Sequence, residues 1–129
     1  MSIHTRLVDD WLVVVKLRGE LDAYLAPEVR ERVEEVLGSG ASWLLMDLTE
    51  VEYIDSVGLG IIVGAAKRAN ERGGDLSVAC SRVNVLRVFE ISGTKDLLNV
   101  LPTIAEARAV LEAARARSRA SESPGGGDA

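Results

Sequence analysis

Several kinds of residue that carry chemistry are scarce in this chain. Its one cysteine, Cys80, leaves no partner for an internal disulfide and suits a reducing, cytoplasmic compartment. Its one histidine, His4, clusters with neither the cysteine nor the carboxylates at metal-ligand spacing, so neither a metal nor a cofactor is expected. No G-x-x-x-x-G-K-[ST] loop for phosphate occurs. No apolar run is long enough to span a bilayer and the start has no signal-peptide pattern, so membrane insertion is not expected. Lys and Arg number 15 against 20 Asp and Glu, for a net charge of −5. With no basic stripe interleaved with aromatics, direct nucleic-acid binding is disfavoured. Two Trp, two Tyr and one Phe leave the core to Val, Leu, Ile and Ala.

Its 129 residues, 47% hydrophobic and 27% charged, suit one soluble domain with its own core. Strand-like runs at His4 to Val8 and Trp11 to Leu17 flank Asp9-Asp10, a hairpin turn. The second run is nearly continuous in apolar residues, as in a strand covered on both faces. A polar corner, Gly19-Glu20-Leu21-Asp22, follows, and Pro27 suits a first helical turn. Val29, Val33, Val36 and Leu37 then fall on one helical face, and Gly38 and Gly40 end that helix. Trp43 to Leu48 reads as a third strand, with Thr49 to Tyr53 leading into a second helix closed by Gly73-Gly74. Leu76 to Cys80 is a fourth strand, Ser81 a cap for a third helix, and Leu97 to Leu101 a fifth strand. Thr103 and Glu106 have capping-box spacing at the start of a fourth helix, which should bury Ile104, Ala107, Leu111 and Ala114. The order predicts an α/β domain over residues 1–117, with a mixed, mostly parallel sheet of about five strands and about four helices. The tail over residues 118–129, rich in Ser, Glu, Pro and Gly, is expected to be disordered.

The chain centres on Asp55-Ser56-Val57-Gly58-Leu59-Gly60, at the start of the second helix. Asp and Ser cap helices through side-chain oxygens that accept from free backbone N–H groups. A hydroxyl here lies where those groups and the helix dipole favour negative charge, which suits a plain cap and a phosphate alike. Two glycines in a first turn suggest close approach to the backbone. Leu59, Ile62, Val63 and Ala66 form the expected core stripe, placing Val57, Ile61, Gly64, Ala65 and Arg68 outside. That outer face is apolar or small near the serine, which fits a docking surface or cover by another helix of the domain. A hydrolase elbow needs glycine two positions on either side of the serine, and Ile54 occupies one of them. His4 in the first strand is poorly placed to pair with Ser56. A binding protein, not an enzyme, is expected.

The Asp55-to-Gly60 hexapeptide, preceded by an apolar strand and Tyr53-Ile54, resembles the phosphorylation-site motif of bacterial anti-sigma factor antagonists of the STAS family. Leu17-Arg18-Gly19-Glu20-Leu21-Asp22 resembles the family's strand-end motif, and Gly73-Gly74-Asp75-Leu76 its turn into the fourth strand. Val88-Phe89-Glu90-Ile91-Ser92-Gly93 is similar to the segment closing the third helix, so the likeness runs from about residue 5 to 112. Val57 departs from the small or hydroxylated residue common at its position. The resemblance implies a single STAS-like domain that binds an anti-sigma factor, itself a serine kinase, and so frees a sigma factor for transcription. Phosphorylation by that kinase releases the complex, and a PP2C-type phosphatase resets it. By position Ser56 is the implied phosphoacceptor, with Asp55, Gly58, Leu59 and Gly60 beside it and Glu20 and Asp22 on the adjoining loop. The outer-face residues Val57, Ile61, Gly64, Ala65 and Arg68 complete the expected partner surface. STAS domains also serve as scaffolds of stress-sensing assemblies and as accessory subunits of lipid-transport complexes. The serine with its acidic neighbour favours the switch.

Overall fold

The computed structural model describes residues 2–122. Five strands alternate with four helices: β1 (Ser2–Val8), β2 (Leu12–Leu21), α1 (Ala26–Gly38), β3 (Trp43–Ile54), α2 (Ser56–Glu71), β4 (Asp75–Ala79), α3 (Val83–Ser92), β5 (Val100–Leu101) and α4 (Ile104–Glu122). The strands lie in sequence order in one sheet, β1 antiparallel to β2 and the rest parallel. Asp9 and Asp10 both take positive φ, 54° and 66°, in a three-residue connection whose Trp11 N–H donates to the Val8 carbonyl at 3.4 Å.

Alternation along the strands sends side chains to two cores. Val13, Val15, Leu17, Leu44, Met46 and Val78 face one side, where α1, α2 and α3 contribute Val29, Val33, Ile62, Ala66, Val85 and Phe89. Leu12, Val14, Leu45 and Ala79 face the other, covered by Ala107 and Leu111 of α4. α1 to α3, each linking neighbouring parallel strands, pack on one face, and α4, after the last strand, closes the other. Thr103 caps α4 as expected, but only half of the capping box forms: Glu106 N–H donates to Thr103 Oγ1 at 3.1 Å, while the Glu106 carboxylate accepts from the Thr103 hydroxyl at 2.9 Å rather than from its backbone N–H. At the far end of α4, Arg115 stacks on Trp11, 4.7 Å from the ring centre, and Trp11 meets Trp43 edge-on.

The structure departs from the sequence expectations in several places. β2 continues past Leu17 to Leu21, and β3 through the expected loop to Ile54, with register irregularities after Lys16 and Gly19. Pairing of Glu20 with Tyr53 and Leu21 with Ile54 satisfies the backbone there, so apolar side chains are not needed to keep it extended. Glu20 is therefore on a strand, not in a loop. β5 is only two residues long, because Lys95 to Asn99 turn back on themselves and Asn99 takes positive φ. Ser81 does not cap α3; its N-cap is Arg82, with no side-chain cap bond. In α4, Ala107 and Leu111 are buried, but Ile104 stays 39% exposed at the helix start and Ala114 is half-buried. α4 also runs to Glu122, past the expected boundary at 118, since Ser118 to Glu122 includes no helix breaker. The remaining tail, 123–129, lies outside the described residues.

Candidate functional site

The C-terminal ends of β2 and β3 lie side by side, where open α/β sheets place their binding sites. Asp55, the residue after β3, joins them. Its N–H donates to the carbonyl of Leu21 at 3.3 Å. One carboxylate oxygen accepts from Gly58 N–H at 2.9 Å, capping α2, and the other accepts from Ala23 N–H at 2.9 Å. The Gly58 bond, supported by the Ala23 bond and the Val57 amide and opposed by desolvation, holds the Asp55 carboxyl below its ordinary pKa. Asp22 has a similar task. Its Oδ1 accepts from Tyr24 and Leu25 N–H, both at 3.1 Å, fixing the turn into α1. Both carboxylates are thus engaged in building the corner, while Glu20 is exposed.

Ser56 is the first residue of α2 and is exposed. Its hydroxyl stands at the helix start, where unpaired amides and the dipole favour added negative charge. The two glycines behind it differ. A Cβ on Gly58 would stand 2.3 Å from the carbonyl oxygen of Leu21, so the close approach foreseen in this turn is made by the chain's own β2. A Cβ on Gly60 would meet nothing within 4 Å. Gly60 is bare surface one turn beyond Ser56.

α2 is also turned from the expected orientation. Gly58, Ile62, Ala65, Ala66 and Ala69 are its buried residues, whereas Leu59 and Val63 are half-buried. At 100° per residue the buried side lies about 60° from the Leu59, Ile62, Val63, Ala66 stripe. Ala65, expected on the outer face, is fully buried on the side where α1 packs, and Ile61 is half-buried against the core. Another helix of the domain therefore covers part of that face. The outward stripe is Ser56, Gly60 and Lys67, flanked by exposed Val57 and half-buried Gly64 and Arg68.

Exposed apolar side chains ring this corner. Tyr24, in the loop after β2, is 87% exposed, Tyr53 at the end of β3 49%, and Val57 46%. Val83, at the start of α3 on the same end of the sheet, is 68% exposed. Asn84 braces that side by donating to the carbonyl of Glu52 at 2.6 Å. Tyr24 and Val83 escaped the sequence reading. A lone tyrosine after a strand has no periodicity to mark it, and only the topology brings it to the rim of Ser56. Arg30 of α1, beside Arg68, was also hidden within a charged helix face.

His4 lies in β1 facing a cavity with Arg6, Val14, Lys16, Asp47 and Ile104, on the α4 side of the sheet and apart from Ser56. Cys80 is buried, and burial pushes its thiol pKa up, away from reactivity. Among the described residues no group of three or more His, Cys, Asp or Glu could hold a metal, and no helix is long and apolar enough to cross a membrane.

An α/β domain that holds a capped, exposed serine on an apolar rim is built to be touched by another protein. The chain belongs to the STAS domain family, which it matches over residues 3–107. It is 37% identical over 100 residues to the anti-sigma-B factor antagonist of Listeria monocytogenes, covering 78% of this chain and 88% of that protein. The anti-sigma-B factor antagonist of Bacillus subtilis is 36% identical over 88 residues, 68% of this chain and 80% of that one. The crystal structure of an anti-sigma factor antagonist from Mycobacterium paratuberculosis superposes with a TM-score of 0.76 at 26% identity, covering 86% of this chain and 95% of that one.

Proposed function

We propose that this protein is an anti-sigma factor antagonist, a binding regulator that captures an anti-sigma factor through the rim around Ser56 and is released by phosphorylation of that serine. The observation that carries the reading is the corner itself. Asp55 ties α2 to the loop after β2 and leaves the Ser56 hydroxyl exposed beside Tyr24, Tyr53 and Val57. The relatives named anti-sigma-B factor antagonists supply the class of partner. A phosphate adds about −1.5 to −2 charges and three acceptor oxygens. On a rim that buries Val57 and the tyrosines against a partner, that charge must be desolvated, and docking weakens without any change of fold. At a helix start the same phosphate is well tolerated by the free protein.

The partner in this reading is an anti-sigma factor that is also a serine kinase, with a PP2C-type phosphatase restoring the hydroxyl, all in the cytoplasm. Glu20, Val57, Gly60 and the exposed part of Arg68 are surface contacts. Asp22, Asp55 and Gly58 act by shaping the corner, and Ala65 is withdrawn from the partner surface because it is buried. Ile61, half-buried against the core, would carry a folding cost if replaced by Asp, so Val57→Asp is the cleaner probe of docking.

Incubation of the protein with the anti-sigma kinase of its own genome and ATP tests the modification. Intact mass should rise by one phosphate, and Ser56→Ala should abolish the gain. Phosphate on Ser81 or Ser92, both exposed, would remove Ser56 from the switch.

A further inference from the structure

Next to the serine, α1 and α2 leave an open notch of about 200 Å³ between Arg30, Val57, Gly60, Ile61, Gly64 and Arg68. Gly60 and Gly64 leave backbone bare along one side of it. Its charge comes from two arginines. The Arg68 guanidinium leans along the helix toward Ser56, with Nη1 3.4 Å from where a Gly64 Cβ would stand. Its Nε is buried without any hydrogen-bond acceptor, and Arg68 forms no ion pair among the described residues. Arg30 has only a loose contact with Glu34, at 3.6 Å between two largely exposed side chains. A cationic group set against the floor of a notch with unused donors is a planar fork waiting for an acceptor.

We propose that this notch receives an aspartate or glutamate side chain of the docked anti-sigma factor, with Arg68 and Arg30 as its donors. The inference rests on the antagonist reading and adds to it the polarity of docking. Carboxylate suits the notch on several grounds. Arg30 and Arg68 both line it, no acidic residue does among the described residues, and the nearest ion pair of either is the loose Arg30–Glu34 contact. Gly60 and Gly64 let a partner backbone come close enough for a short acidic side chain to reach in. Glu20, at the end of β2 across the corner from α1, is exposed with the opposite charge, so one partner orientation is favoured over its reverse. A phosphate on Ser56, one turn before Gly60, would stand at the mouth of the notch as a competing anion.

The test is calorimetric titration of wild type, Arg68→Gln and Arg68→Glu against the anti-sigma factor of the same genome. It is repeated against anti-sigma variants in which each surface Asp or Glu is changed singly to Lys. Arg68→Glu should weaken binding by about 30-fold or more and Arg68→Gln by less, as for a desolvated, hydrogen-bonded charge pair. One Lys variant of the partner should weaken binding to wild type and restore binding to Arg68→Glu. Thermal melts establish that the variants are folded, and Arg30→Glu, on an exposed position of α1, carries the same test should Arg68→Glu unfold. A wild-type protein that does not bind the anti-sigma factor sinks the antagonist reading and the notch with it. Wild-type binding with Arg68→Glu and Arg30→Glu both within about threefold, or with no Lys variant giving rescue, overturns the notch alone.

Discussion

Replacing Asp55 dissects the corner, because its two carboxylate oxygens do separate work. Asp55→Asn keeps an oxygen able to cap α2 at Gly58 but turns an amide NH2 toward the Ala23 N–H, donor against donor. Asp55→Ala removes both bonds. Loss of an N-cap costs about 1 kcal/mol. A hydrogen bond to a charged acceptor contributes about 1.5 kcal/mol at the lower end of its range, appropriate to a half-exposed site. Adding a few tenths for the carboxylate at the helix start gives about 2.5–3 kcal/mol for Asp55→Ala and about 1.5–2 for Asp55→Asn. Urea unfolding followed by far-UV circular dichroism measures both, and hydrogen exchange separates them. In Asp55→Asn the Ala23 amide should lose protection while Gly58 keeps it, whereas Asp55→Ala should expose both. The pH dependence has a definite sign. The folded-state pKa of Asp55 is depressed, so its contribution is complete above the ordinary carboxylate pKa of about 3.9 and is lost as pH falls through the lower folded value. The gap between wild type and Asp55→Asn should therefore narrow in acid. Equal midpoints for wild type and Asp55→Ala at neutral pH would refute the clamp, and equal losses for the two variants would refute the division of labour.

The remaining predictions concern packing. Gly58→Ala should destabilise by about 2–3 kcal/mol, because the added methyl meets the Leu21 carbonyl at 2.3 Å and backbone must move. Gly60→Ala, with open space around it, should stabilise by up to about 1 kcal/mol through helix propensity, and chemical unfolding of the pair checks the contrast. Ser77→Ala should be neutral or stabilising by up to about 1 kcal/mol in the same assay, since the Ser77 hydroxyl is fully buried without a partner among the described residues.

Much of this architecture was legible because its signals are periodic. Alternating and continuous apolar runs marked the strands, and Thr103 with Glu106 marked the start of α4. The misreadings share a physical origin. Arg18 to Glu20 and Thr49 to Tyr53 are polar, yet backbone pairing alone carries β2 and β3 through them to the corner. The rotation of α2 was hidden because Gly58, Ala65 and Ala69 contribute little to an apolar periodicity while burying as completely as Ile62. Small residues record where elements come close, not which face is greasy. Asp55 was legible as a cap, and of the two candidates it alone caps α2, with Ser56 the first helical residue; the reach of Asp55 to Ala23, 32 residues earlier, is a tertiary fact. Tyr24 and Arg30 belong to the rim and the notch only because adjacent strand ends and helices bring them there.

The most direct test of the central claim is the affinity of one anti-sigma factor for two forms of this protein, unmodified and phosphorylated on Ser56, titrated under identical salt. Docking on the serine rim predicts tight binding of the unmodified form and a loss of about 100-fold or more on phosphorylation, with circular dichroism unchanged, as for an uncompensated charge placed in a desolvated interface. Equal affinity of the two forms would contradict it.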